Sequence, residues 1–420
     1  MNIYSVFSSE KPRSRSVAIA SFVALVFSGG PLITFTQSVF LQPMTAELGW
    51  SRSTYFAPLA EGGFLISIAF LFVGRVADRW GVRKVLIPAI ILFSLSYMCL
   101  AFVKNPLDFF ILILIALISQ TAHGPLLYMK AVGSWPNRMP GLTMSLTLAG
   151  VSVGGVLMPN FALALIQHFG WRDARLILGA CVMLVAFPAV ILWVREPRIA
   201  AISAQELTLG EVPIAAKLHG FTMYEAARSS IFWRMAAIMV FAMIGVYGIT
   251  GNILELAKSH GVSNSISSLS LSTASAAAFI ARLFSGYTLD RWNFPQIGAI
   301  WFLCSFFGAA ILFFRVSDLS VVLGMTLIGM GMGAELELAA YYTRRYFGLF
   351  SYAQVFGVMV ACFTIGASAG ALLFGAILDI TSSEYLALIA AAGTILISIL
   401  LVFSLPRYSF AAQHGTADLV

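Results

Sequence analysis

Residues 280–292 read IARLFSGYTLDRW, and Arg282 stands there in an otherwise apolar run. A guanidinium presents a planar fork of N–H donors that meets a carboxylate with two parallel bonds, so an arginine in such a setting is suited to anchoring an organic acid. Glu61, His123, Glu335 and Glu337 also interrupt apolar runs. A carboxyl in such a setting can carry a proton or neutralise a cation, which makes Glu61, Glu335 and Glu337 candidates for proton coupling or for pairing with Arg282. Gln37, Asn252 and His123 could offer neutral hydrogen bonds to the same ligand. A charge in a bilayer core costs about 2.5–3.5 kcal/mol on insertion scales, so each of these groups needs a path, a partner or a ligand.

Three readings of Arg282 stand side by side: a substrate anion, a glutamate partner, or snorkelling to the membrane surface. Arg282 lies eight residues before Asp290, about 12 Å of helix, and an arginine reaches about half of that. Glu335 lies nine residues before Arg344, at nearly the same height. Glu335 and Glu337 are two apart and point about 200° away from each other on a helix. The tighter Gly-Met-Gly-Ala-Glu context assigns the structural pair to Glu335 and leaves Glu337 to carry a proton. Asn252 and Gln37 read equally as polar glue between helices, and His123 as a satisfied core histidine. Glu61 lies toward the outer third of its span, where it could serve an outer gate.

The elements that position these groups follow from composition. The chain has 420 residues, 60% hydrophobic and only 10% charged, against about 25% charged in soluble domains. Twelve stretches meet the roughly 20-residue apolar length of a spanning helix. The fold class is an all-α membrane protein of twelve transmembrane helices in two pseudo-symmetric six-helix bundles. The boundaries are a cytoplasmic N-tail at 1–15, a first bundle at 16–194, a cytoplasmic linker at 195–231, a second bundle at 232–405 and a cytoplasmic C-tail at 406–420. Spans three, six, nine and twelve carry no intramembrane charge. The first apolar run lacks a small-residue cleavage site and reads as a retained helix.

The net charge of +7 does not call for nucleic acid. With both ends cytoplasmic, 18 of the 25 Lys and Arg fall on the cytoplasmic side, and six, Arg175 among them, fall outside, which is the positive-inside bias. Cys99, Cys181, Cys304 and Cys362 all lie in apolar spans, so neither a disulfide nor a metal site is expected. No cofactor is called for, no constellation supports enzyme chemistry, and no phosphate-binding Gly-x-x-x-x-Gly-Lys loop is present. The absence of an Asn-x-Ser/Thr sequon favours a bacterial inner membrane.

The segment around Arg282 is written twice. Residues 68–80 read IAFLFVGRVADRW and match 280–292 at eight of thirteen positions, with Phe70 where the second copy has Arg282. Gly49, Ser51 and Ser53 match Gly261, Ser263 and Ser265 at the same offset. A second echo joins Gly150 and Gly154 to Gly366 and Gly370. Duplication of a six-helix unit accounts for both, and such repeats place the substrate near the bilayer midplane.

The stretch GRVADRWGVRK at 74–84 sets Gly74, Asp78, Arg79, Gly81, Arg83 and Lys84 at a helix–helix turn, and the second copy keeps Gly286, Asp290 and Arg291. This pattern resembles the signature loop of the major facilitator superfamily. The strings ELGWSRS (47–53), FGWRDA (169–174), IAR (280–282) and GAELELAAYYTRRYFG (333–348) are most similar to those of bacterial relatives of the monocarboxylate and oxalate–formate transporters. The resemblance implies alternating access, a gate held closed by the loop's Asp and Arg, and contact of Arg282 with a substrate carboxylate. Two features depart from those relatives: Ala278 stands where an acid often precedes the arginine, and span one has no lysine. The expected function is therefore secondary transport of a small monocarboxylate-like anion by proton symport, by a chain working as a monomer in the lipid bilayer. The alternatives are a proton-driven antiporter exporting amphipathic compounds and a membrane sensor that no longer transports.

The charge distribution makes a topological prediction. A cysteine placed at residue 210, within the linker, should resist a membrane-impermeant thiol reagent applied outside intact cells. Ready labelling there would overturn the twelve-span topology.

Overall fold

The structure, a computed structural model, describes residues 3–135, 139–197, 220–292, 294–314 and 317–408. All regular structure among these residues is helical. The chain runs α1 (Ile3–Val26), α2 (Gln37–Leu48), α3 (Arg52–Trp80), α4 (Val82–Cys99), α5 (Pro106–Ala122), α6 (Pro125–Gly133), α7 (Pro140–Cys181) and α8 (Phe187–Trp193). It continues with α9 (Met223–Arg228), α10 (Ser230–Ser259), α11 (Asn264–Arg291), α12 (Ala299–Phe314), α13 (Asp318–Phe347), α14 (Tyr352–Thr381) and α15 (Glu384–Phe403).

Ten segments among the described residues are long and apolar enough to cross a bilayer. One of them, Pro140–Trp193, has 54 residues and turns at Gly170, whose φ of 84° only glycine adopts without strain. It therefore contains two spans. With the 29-residue α3 the spans number twelve.

Two spans are interrupted. The first comprises α1 and α2, joined through a π-helical turn at Gly30–Thr34. Pro31 brings no N–H, so the helical ladder cannot run through unbroken. The Leu32 carbonyl accepts from the Thr36 hydroxyl at 2.6 Å and the Tyr97 hydroxyl at 3.0 Å. Side chains thus satisfy backbone that water cannot reach. The fourth span breaks between α5 and α6, at His123–Gly124–Pro125.

Two compact units divide the chain. The first is Met1–Arg138, Leu146–His219 and Leu349–Gly357; the second is Met139–Ser145, Gly220–Gly348 and Val358–Val420. Their border at residue 220 falls inside the expected 195–231 linker, most of which lies outside the described residues. Within the first unit, Gly150 and Gly154 lie against the backbone of Phe22 and Val26, so this pair serves close helix contact. At the last turn of α2, Glu47 accepts from the Trp171 indole at 2.5 Å and from Arg172 at 3.0 and 3.1 Å. These contacts join two of the strings on which the family resemblance rests.

In the second unit, α13 lies against α11 along a row of small residues. A Cβ on Gly329 would strike the backbone of Ala274, and one on Gly333 the backbone of Ala278. Both rows advance by four, so the next step brings residue 337 beside residue 282. The other side of α13 meets α12 and the turn that leads into it: Gly331 lies against Ser305 of α12, and Leu338 against Gly298 in the turn.

This packing makes Gly333 sensitive. Gly333→Leu should force α11 away and lower stability by about 1–3 kcal/mol, as overpacked cores do. Gly393→Ala, with nothing within 4 Å of the added carbon, should leave it unchanged. Thermal midpoints in detergent distinguish the two, and equal midpoints would refute the close contact.

Candidate functional site

Three ionisable residues of the second unit sit together in the apolar interior. Arg282 Nε lies 3.2 Å from Glu337 Oε1. Arg282 is 9% exposed, Glu337 2% and Glu335 0%. From sequence, Glu335 is the expected partner of Arg282; in the structure the partner is Glu337. The reason is the small-residue row, because Gly329 and Gly333 share their face of α13 with Glu337 and not with Glu335. Glu335 falls instead in the row of Gly331 and Leu338, which meets α12. The charges of Glu335 and Arg282 both reach Tyr247 of α10, and Tyr247 stands edge-on to Phe363 of α14 with ring centroids 5.8 Å apart.

The duplicated signature has one geometry in both units. Asp78, near the end of α3, accepts from the backbone N–H of Ala353 at 3.1 Å and of Gln354 at 2.8 Å, in the first turn of α14. Asp290, at the end of α11, accepts from Gly141 and Leu142 in the first turn of α7, both at 2.9 Å. Four residues earlier, Gly74 and Gly286 let each pair of helices touch, with Gly74 against Ala353 and Gly286 against Gly141 and Ser145. A carboxylate at a helix N-terminus meets free N–H donors and the positive end of the helix dipole. Gly81, at φ 86°, makes the sharp turn from α3 into α4. Arg83 donates to the Ile191 carbonyl at 2.6 Å, whereas Arg79, Lys84 and Arg291 are exposed.

Other sequence candidates find different surroundings. His123 is fully buried, with Nδ1 2.9 Å from the Tyr128 hydroxyl and Nε2 3.2 Å from the Phe27 carbonyl. Both ring nitrogens are engaged by the protein, so His123 ties the break of span four to that of span one rather than offering itself to a ligand. Asn252 donates to the Gly248 and Ala371 carbonyls at 2.9 and 3.2 Å, which is helix-to-helix glue. The Gln37 amide is buried, and neither of its polar atoms finds a partner among the described residues. The side chain of Glu61 lies outside the described residues.

Two buried cations escape the sequence argument. Lys130, taken there as a cytoplasmic charge, is 7% exposed. It pairs with Asp78 at 2.8 Å and Glu196 at 3.5 Å and donates to the Ala77 carbonyl at 2.8 Å. Arg175, counted among the outer-loop charges and in a span read as uncharged, is 1% exposed. Its guanidinium sits 3.7 Å from the Phe40 ring centre and 4.8 Å from that of Tyr97. Aromatic faces stabilise a desolvated guanidinium there. The signal for Lys130 was its place inside the apolar run PLLYMKAVG.

The buried pair has a measurable signature. Glu337→Gln and Arg282→Gln should each lower stability by about 3–5 kcal/mol, because each strands a buried charge. The double substitution should recover part of the loss. Additive losses in thermal unfolding would show that the two side chains do not depend on each other.

The family profile of the Major Facilitator Superfamily matches residues 17–343 and 235–416. The Gallate transporter of Pseudomonas putida is 24% identical over 392 residues, 87% of this chain and 85% of its own. The MFS-type transporter pytF of Aspergillus terreus is 26% identical over 249 residues, 59% of this chain and 77% of its own. Among solved structures, the proton:xylose symporter XylE superposes with a TM-score of 0.70 at 15% identity, covering 96% of this chain and 99% of its own. Twelve apolar helices, a signature loop present in both halves with the same helix-terminus geometry, and a profile match along nearly the whole length make this chain a member of the Major Facilitator Superfamily, an integral multi-pass membrane transporter.

Proposed function

We propose that the protein imports small organic monoanions together with protons by alternating access, and that its substrates are aromatic carboxylates. The observation that carries this reading is the buried Arg282–Glu337 pair. A guanidinium paired with a carboxylate in an apolar interior is suited to exchange that carboxylate for the one of a ligand. Tyr247 and Phe363 beside it offer ring faces and edges to an aromatic acid. The relation to a gallate transporter supports the same substrate class. Asp78 and Asp290, seated on helix N-termini, act as latches that must release when the gate opens. The expected setting is the bacterial inner membrane with both termini cytoplasmic.

Purified protein in proteoliposomes, given an inward proton gradient, should accumulate gallate and related benzoates in preference to lactate or oxalate. Arg282→Lys should insert normally yet lose about tenfold or more of the uptake, because an ammonium cannot reproduce the bidentate fork. Uptake by the lysine variant at the wild-type rate would remove Arg282 from the substrate site. Proton-driven extrusion of amphipathic cations would replace this reading with that of an exporter.

A further inference from the structure

The buried cations Lys130 and Arg282 each have a carboxylate beside them. Arg175, at 1% exposure, pairs with none among the described residues. Its Nη2 lies 3.8 Å from the Met44 sulfur, and the rings of Phe40 and Tyr97 lie over the guanidinium. Its Nε has no hydrogen-bond partner among the described residues. Ring faces lower the cost of burying a guanidinium but leave its charge uncancelled. The carboxylates near this end of the unit are committed elsewhere or solvated. Glu47 is held by Trp171 and Arg172, Asp108 by Asn105, and Asp173 is exposed. A second unsatisfied group belongs to the same cluster. Gln37, Phe40 and Met44 follow at i, i+3 and i+7 on α2 and so share one face of it. The Tyr55 hydroxyl joins that face to Arg175: it lies beside the guanidinium and donates to the Gln37 carbonyl at 3.2 Å. Gln37 is 8% exposed, and neither atom of its amide has a partner among the described residues.

We propose that Arg175 and Gln37 hold a chloride ion inside the first unit. The Arg175 Nε–H and the Gln37 amide N–H groups are buried donors without acceptors, beside a cation without a countercharge. A small anion supplies both deficits at once. The geometry favours a monatomic one. A carboxylate binds best across two guanidinium N–H groups. Nη2 belongs to both such forks, and it is turned to Met44. A halide needs only the Nε edge, and a water of its shell can donate to the Gln37 amide oxygen. The ion cancels the charge that the rings only shelter. It also ties α2, the second half of the interrupted first span, to the part of α7 that follows the turn at Gly170. This inference stands apart from the substrate assigned to Arg282 and does not rest on it.

Thermal unfolding of the purified protein in detergent tests the proposal without any substrate. Starting in sodium gluconate, titration with sodium chloride at constant ionic strength should raise the midpoint in a saturable way, as a ligand of the native state does. Bromide should act alike, and its anomalous scattering in crystals should place the ion between Arg175 Nε and the Gln37 amide. Gln37→Leu keeps the cation and removes one donor, so it should raise the apparent chloride dissociation constant about tenfold, the equivalent of one hydrogen bond to an ion. Arg175→Met should abolish the chloride response altogether. If that variant does not fold, the titrations of the wild type and of Gln37→Leu decide. A wild-type midpoint indifferent to chloride would overturn the proposal. So would a chloride response of unchanged affinity in Gln37→Leu, which would mark a general salt effect or a site elsewhere. A midpoint raised by gallate and not by chloride would make the cluster a subsite for an organic acid and would refute its assignment to a halide.

Discussion

A guanidinium shut inside an apolar bundle cannot stand alone, and the contact between Arg282 and Glu337 is what allows the second unit to contain one. Its 3.2 Å separation is set by backbone rather than by side-chain reach. Gly329 and Gly333 bring α13 onto the backbone of α11 at Ala274 and Ala278. The pair then falls in register as the third step of the same row. Related transporters often place the acid on the arginine's own helix, one turn earlier, but here Ala278 occupies that position and must stay small to admit Gly333. The countercharge has moved to the neighbouring helix, and the contact now reports on how α11 and α13 are packed.

The same economy of backbone appears in the duplicated loop. Each copy sets a glycine and an aspartate one turn apart near a helix end, and each aspartate receives two N–H groups from the first turn of another helix. Sequence similarity between 74–78 and 286–290 thus reflects a shared docking geometry. The copies differ in what neutralises the aspartate. Asp78 has the buried Lys130 at 2.8 Å. Asp290 has Arg344 and Arg345 near enough for their charges to act on it, with Arg345 resting over the rings of Tyr341 and Tyr408.

Much of this was legible in the sequence because it depends on patterns that one helix can carry. Span number, the repeat, the signature loop and the isolated position of Arg282 all follow from local spacing. What depended on two helices meeting was not legible. Glu335 and Glu337 differ by two residues, and only the row of glycines on α13, read against the alanines on α11, tells which of them faces Arg282. That row was visible as GMGMGAELE, but its register against a second helix was not. Arg175 looked like a loop residue because the positive-inside count treats any cation near a span end as solvated, whereas Phe40 and Tyr97 enclose it. Lys130 was hidden in the same way by its nearness to the cytoplasmic end of span four.

The asymmetry between Phe70 and Arg282 explains a further difference between the units. Phe70 needs no countercharge. It is buried at 8% exposure, and its backbone touches Gly357. The fourth span, which packs beside α3, breaks at His123, where imidazole and phenol groups carry the polar load. Span two meets it through Gly62 against Leu117, a large side chain in a small notch. Arg282 permits no such freedom. Its partner must be held at one height and on one face, and α13 runs unbroken for 30 residues. The span beside the copy that holds the cation is continuous and glycine-lined. The copy that kept phenylalanine could instead spend its flexibility on interrupted helices.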